Sequence, residues 1–321
     1  MVAEQMWPDD LALASLRDAA AAFEALDDGS SRGDLNQTVG LAVDRLCGAI
    51  TACEEAGIDK REILAHLGTA RAIHGRSPLI ARVQTWPRGY PGDYETIEYI
   101  CDAGNRAPIG STEWALENEA LTRPIACQHR NKVAFQAEAI LSACHRTKGH
   151  ARVLSIGCGG CRDIRSVAQQ LLQTKVEFVL CDLDYEALDF ALHALGPLAE
   201  RCTYLNAMIP RVLRKLLRFG PFDLAIAGGV FDYLPDLWVT LSLREIWRTL
   251  LAPHGELVFT NIKRGNPSRA WLEYLANWEL TERDESDVLR CCTEAGIPTP
   301  AVRIQLDETG LALLVKCQRP A

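Results

Sequence analysis

The chain lacks any apolar run of about 18 residues or more, so no membrane-spanning helix is expected. Its first residues, MVAEQMWPDD, lack the basic and apolar character of a leader, so no signal peptide is expected. Positive charge is in deficit, with 34 Lys and Arg against 42 Asp and Glu and a net charge of −8. Residues 1–150 hold 15 basic and 21 acidic side chains. Neither half has the basic footprint of a nucleic-acid binder. Regular cysteine spacing is missing too: the 12 cysteines are scattered, and several sit inside apolar runs (Cys47, Cys144, Cys181). Small core thiols in a reducing cytoplasm are the expectation, not a secreted disulfide framework. No low-complexity tract or internal repeat occurs, and 321 residues with 48% hydrophobic content suffice for a buried core.

What is present divides by rhythm. Residues 8–147 read as helical. Asp9 and Asp10 precede Leu13, Leu16, Phe23 and Leu26; Val39, Val43, Leu46, Ile50 and Cys53 repeat at helical spacing up to Gly57. Asp59 and Glu62 resemble a capping box before the stripe Ile63, Leu67, Ala70, Ile73. The stretch Trp86–Tyr94, with two prolines and two glycines, is a loop whose aromatics either plug the core or face a ligand.

From residue 152 short apolar runs alternate with helical segments: 152–156, 176–181, 203–205, 222–227 and 256–262. Alternation implies crossovers and a parallel sheet. Residues 302–306 and 311–317 read as a hairpin adding antiparallel strands at one edge. The helix RVLRKLLR (211–218) is expected to bury Leu213, Leu216 and Leu217 and to present its bases to solvent.

The first run leads into Gly157-Cys-Gly-Gly-Cys161 and then a helix. Glycine there lets backbone approach a ligand, and the helix offers its N-terminus. Arg162 stands where a third glycine of G-x-G-x-x-G would fall, and no G-x-x-x-x-G-K-[ST] exists, which disfavours dinucleotide and P-loop chemistry. The second run ends at Asp182, an acid placed to accept from both hydroxyls of a ribose; Asp184 is placed to cap the next helix. Cys158 and Cys161 form C-x-x-C without a second ligand pair, so no metal is expected.

This order resembles class I S-adenosylmethionine-dependent methyltransferases over about residues 130–321. VLSIGCGGC is similar to their first motif, with Ser155 for the usual acid and Cys161 for the last glycine. The resemblance implies S-adenosylmethionine as cofactor, Asp182 on the ribose and Asn206 at the adenine, where an acid is commoner. RGYPGDYETIE (88–98), AGGVFDYLPD (227–236), TNI (260–262) and WELTER (278–283) resemble a helical-capped bacterial group that includes makers of 3-hydroxypalmitic acid methyl ester. That resemblance implies an α/β, Rossmann-like sheet, mostly parallel with an antiparallel C-terminal hairpin. It covers about residues 85–321; with the helical rhythm before it, the expectation is a helical cap at 1–127 that includes the 86–94 loop, and a methyltransferase domain at 128–321. It further implies cofactor contacts from Arg88, Tyr90, Gly157, Gly159 and Gly228, and substrate contacts from Tyr94, Asn261 and Arg283.

Methyl transfer from a sulfonium needs alignment and exclusion of water, but no metal. Asp232 and Tyr233 follow the fourth run, where ligands meet a parallel sheet; they are either a cap and core aromatic or face the transferred methyl. Glu117 and Glu119 are either a solvated face or catalytic acids holding a cationic acceptor. Arg88 and Arg283 are either surface ion pairs or carboxylate clamps. The resulting expectation is methyl transfer to a small metabolite of secondary metabolism, leaning to nitrogen on a cationic amino acid, amine or guanidine. The alternatives are oxygen of a carboxyl or hydroxyl group on an acyl compound, or a non-catalytic partner protein of this fold. A homodimer is allowed; nucleic acid and membrane insertion are not expected.

Overall fold

The computed structural model describes residues 8–28, 34–207 and 213–321. The apolar runs become a seven-stranded sheet: β1 (Arg152–Ile156), β2 (Glu177–Asp182), β3 (Cys202–Asn206), β4 (Phe222–Ala227), β5 (Leu251–Ile262), β6 (Val302–Leu306) and β7 (Ala312–Gln318). Their spatial order is β3-β2-β1-β4-β5-β7-β6. β1 to β5 pair in parallel, and β7 is antiparallel to both β5 and β6.

Both faces of this sheet are covered, which is why its strands are continuous apolar runs. Val153, Phe178 and Leu180 face one cluster, built with Phe135, Ile140 and Ala143 of the long helix Pro124–Arg146. Leu154, Ile156, Val179 and Cys181 face the other, with Leu243, Ile246 and Val288. Asp184 caps Tyr185–Ala194 by accepting from Glu186 N–H at 2.9 Å. In the 211–218 segment the structure describes a helix at Leu213–Leu216; Arg211 lies outside the described residues. Leu216 is buried, but Leu217, expected inside, is exposed, because the helix ends before it.

The chain divides into two units. One takes Met1–Ala126 together with Pro267–Glu279, and the other takes Cys127–Asn266 and Leu280–Ala321. A sequence boundary at residue 127 has no place for the 267–279 excursion. The excursion belongs with the helices because Trp271 and Tyr274 are buried there with their polar heads satisfied. Trp271 Nε1 donates to His74 Nε2 at 2.9 Å, and the Tyr274 hydroxyl donates to Glu54 at 2.8 Å. Trp86 Nε1 donates to the Asn277 carbonyl at 2.9 Å, which ties the 86–94 loop to the same segment. At its base the excursion is pinned by a bridge between Lys263 and Arg283.

In the helical unit, Leu35–Glu55 buries Val39, Val43, Leu46, Ile50 and Cys53 as their spacing predicts. The stripe Ile63 to Ile73 is not one helix but two, Lys60–His66 and Gly68–His74, joined at Leu67. Gly68, a poor helix former, follows the break. Asp59 caps the first of them through Arg61 N–H at 2.8 Å without a reciprocal bond from Glu62, so the expected capping box does not form.

Candidate functional site

The turn after β1 is shaped by three left-handed residues: Gly157 (φ 62°), Gly159 (φ 50°) and Cys161 (φ 54°). Cys161 stands where the motif usually has glycine, and the backbone still adopts the glycine conformation. A Cβ at Gly157 would lie 3.2 Å from Val230 Cβ, so the turn packs closely on the segment that follows β4.

The Asp182 carboxylate closes this turn. Gly159 N–H donates to its Oδ2 at 2.7 Å, and Asp184 N–H donates to its Oδ1 at 2.9 Å. Burial raises its pKa above the ordinary value of 3.8, against the lowering effect of those backbone donors. Asp182 and Asn206 are register partners at the carboxyl ends of β2 and β3. Asn206 Nδ2 donates to the Leu183 carbonyl at 2.8 Å. The structure therefore brings Gly157, Gly159, Asp182 and Asn206 to one edge of the sheet.

Beside them lies the turn Val230–Tyr233, which follows β4 and Gly228. The Thr260 hydroxyl donates to the Gly228 carbonyl at 2.5 Å. A Cβ at Gly228 would collide with the Gln136 side chain of the long helix. One turn earlier on that helix, the Lys132 ammonium donates to Asp232 Oδ2 at 2.8 Å, with both side chains buried. Ile262 N–H donates to Asp232 Oδ1 at 2.7 Å.

Residues 154–257 match the family model described as a methyltransferase domain. This segment therefore carries a methyltransferase domain. Among solved structures, a possible exported protein from Bordetella parapertussis is similar at TM-score 0.56 and 16% identity, covering 97% of each chain, and shares the fold. The 1,6-didemethyltoxoflavin-N1-methyltransferase of Burkholderia thailandensis is similar at TM-score 0.40 and 18% identity, covering 59% of this chain and 79% of that one. The magnesium protoporphyrin IX methyltransferase of Synechocystis is similar at TM-score 0.48 and 11% identity, covering 76% of this chain and 99% of that one. No curated protein matches the sequence.

Several methyltransferase candidates are committed to internal partners. Arg283 is buried, and a guanidinium has five N–H donors. Four go to the Phe231 carbonyl at 2.8 Å, Asn261 Oδ1 at 2.6 Å, the Leu234 carbonyl at 2.5 Å and Asp236 Oδ1 at 2.9 Å, and the guanidinium is ion-paired with the same Asp236. With these partners and the Asp236 carboxylate already on it, the buried Arg283 acts as a staple of the turn after β4 and not as an open clamp. Burial would raise the Asp236 carboxyl, but Arg283 and Arg290 outweigh it and hold the group below the usual range. Asn261, expected on the substrate, is buried and donates to the Ile262 and Thr281 carbonyls at 3.0 and 2.9 Å. Its place in the same network corrects that expectation as well.

Glu117 does point inward, but its oxygens are taken by the Ser77 hydroxyl, Leu79 N–H at 2.9 Å and the Tyr99 hydroxyl. It joins three elements of the helical unit. Glu119 points elsewhere: Arg123 donates to it at 2.8 Å, and it packs near Gly40. The two acids therefore do not line one pocket. Arg88 stands over the Tyr94 ring at 5.0 Å and lies 3.8 Å from Glu95, and Tyr90 is half-buried in the same loop. Tyr233 is partly exposed at the end of its turn.

The sequence reading gave no role to Gln128, Lys132 or Gln136. Their signal was polar residues at steps of four along an otherwise apolar helical face.

Proposed function

We propose that this chain transfers the methyl group of S-adenosylmethionine to a small metabolite at the edge formed by the turns after β1 and β4. The observation that carries this is the convergence of Gly159, Asp182 and Asn206. A glycine-lined turn admits a ligand against backbone, and a half-buried carboxylate at the end of β2 accepts from ribose hydroxyls. Asn206, its register partner, meets the adenine edge, and Gly228 is a proposed contact through its backbone, since the space a side chain would fill there is taken by Gln136. These residues fit the cofactor, which when bound supplies a methyl already activated by positive sulfur. Arg88 and Tyr90 remain proposed cofactor contacts, and Tyr94 and Tyr233 proposed acceptor contacts.

For the acceptor, an oxygen of a carboxyl group is the better supported class. A cationic amine or guanidine was motivated by Glu117, Glu119 and Asp232. All three already have partners within the chain. A carboxylate acceptor needs no proton removed. Its oxygen lone pair forms the new C–O bond as the C–S bond breaks, and the bonding electrons stay on sulfur. A −1 acceptor and a +1 sulfonium become a neutral ester and a neutral thioether. A general base is then unnecessary, in keeping with an Asp232 whose two oxygens are both occupied. What this chain does is hold the acceptor, exclude water and keep the turn after β4 rigid through Arg283.

Among the described residues no helix is long and apolar enough to cross a membrane. We place the chain in a reducing cytoplasm, because its cysteines are scattered and several, such as Cys47, Cys144 and Cys181, are small core residues.

The test is calorimetric binding of S-adenosylhomocysteine. It is followed by incubation with methyl-labelled S-adenosylmethionine and a metabolite extract, with mass spectrometry for labelled products. Absence of binding would remove catalysis and leave a partner protein of this fold. Label on amines or guanidines would sink the oxygen reading.

A further inference from the structure

Gln128 and Lys132 sit one helical turn apart on the long helix, hence on the same face. Gln128 is fully buried at 0% exposure, and neither its Oε1 nor its Nε2 has a hydrogen-bond partner among the described residues. Lys132 is also buried, and of its three N–H donors one is accounted for, by Asp232 at 2.8 Å. Two neighbouring buried heads thus leave four N–H donors and one carbonyl acceptor without a partner among those residues. Buried polar groups are normally paired, because leaving them so is costly. The face continues to Gln136, which packs on Gly228, and Lys132 reaches the turn Val230–Tyr233. This donor cluster therefore adjoins the turn after β4, within the same unit as Gly157 and Asp182.

Resting on the methyl-transfer reading, we infer that Gln128 and Lys132 bind the carboxylate of the methyl acceptor and set its specificity. The chemistry follows from the donor excess. An ammonium or guanidinium ligand brings only donors and would meet four more. A carboxylate brings acceptors alone, and charge-assisted N–H donors are its strongest partners. Asp232 holds the Lys132 head in place at 2.8 Å, and the same head has N–H donors left for a second carboxylate while Gln128 adds its own N–H groups. Gln128 is the discriminating member, because it takes no part in the ion pair and can be changed without stranding a buried charge.

The experiment uses the full chain saturated with S-adenosylhomocysteine. Benzoate and hexanoate serve as carboxylate probes, and benzylamine and hexylamine as cationic counterparts of similar shape, all titrated by calorimetry. At least one carboxylate should bind and neither amine should. Gln128→Leu should weaken carboxylate binding about tenfold or more while S-adenosylhomocysteine affinity stays within about twofold, the latter reporting an intact fold. If Gln128→Leu does not fold, Gln128→Glu is read instead. It keeps the side-chain volume and should lose the carboxylate by repulsion and by pairing with Lys132. Should neither variant fold, the preference of the unmodified chain for carboxylate over amine decides. No carboxylate binding, equal binding of amines, or unchanged affinity in a folded Gln128 variant overturns the inference. Failure of the unmodified chain to bind S-adenosylhomocysteine would instead overturn the methyltransferase reading on which it rests.

Discussion

Lys132 and Asp232, a hundred positions apart in sequence, form a buried ion pair at 2.8 Å that ties the long helix to the turn after β4. Removing one partner of such a pair strands the other charge. Lys132→Met should therefore cost about 3–5 kcal/mol of stability. Adding Asp232→Asn to it should recover at least half, since the amide oxygen can still accept from Ile262 N–H. Urea unfolding of the single and double variants measures both values. Equal stability of the two would mean that the pair's charge is solvated rather than buried.

Asp182 is proposed to serve two ends, shaping the glycine turn and accepting from the ribose. Asp182→Ala should weaken S-adenosylhomocysteine binding by about 1.5–3 kcal/mol, roughly tenfold or more. Asp182→Asn retains an acceptor for Gly159 N–H and should lose less. Calorimetry on folded variants checks the order. Equal affinity of unmodified protein and Asp182→Ala would place the ribose elsewhere.

The strands were legible because a sheet covered on both faces writes itself as unbroken apolar runs, and Asp182 was legible from its place at the end of one. The start of β5 was not, since Pro253 and His254 interrupt its pattern between Leu251 and Glu256. Glu117 was visible as an acid but its function was not: Ser77 and Tyr99 reach it only through the packing of separate helices. The same limit hid Arg283, whose carbonyl partners at Phe231 and Leu234 carry no residue-type signal at all. Lys132 was overlooked because a lysine on a helix is ordinarily solvated. Nothing local distinguishes the 267–279 excursion from any link between a strand and a helix.

Arg283 donates four hydrogen bonds inside the protein, so a lysine cannot replace it. Arg283→Lys offers three donors without the planar fork, leaving at least one of the four acceptors short of a partner. At about 1–3 kcal/mol for a buried group left unsatisfied, stability should fall by about 1–3 kcal/mol. Denaturant unfolding checks this. A loss below about 1 kcal/mol would show that water replaces the missing contacts and that the turn after β4 is open.

Two histidines make the fold acid-sensitive in a defined window. Burial pushes the His74 imidazole from its ordinary 6.5 down to about 3, with Arg123 and Arg71 adding to the effect. Burial does the same to His129, again to about 3, helped by Lys132 and Arg130. The folded chain keeps both neutral where the unfolded chain protonates them. The unfolded state thus binds more protons between pH 6.5 and about 3, and stability is present above that window and lost as pH falls through it. At pH 5 each histidine should account for about 2 kcal/mol of loss relative to pH 7.5. His74→Gln keeps an acceptor for Trp271 Nε1 and removes one titration, so its stability should drop by about 2 kcal/mol less than that of the unmodified protein over the same interval. Urea unfolding at the two pH values tests the difference, and identical pH dependence in both proteins would mean that His74 is protonated in the folded state.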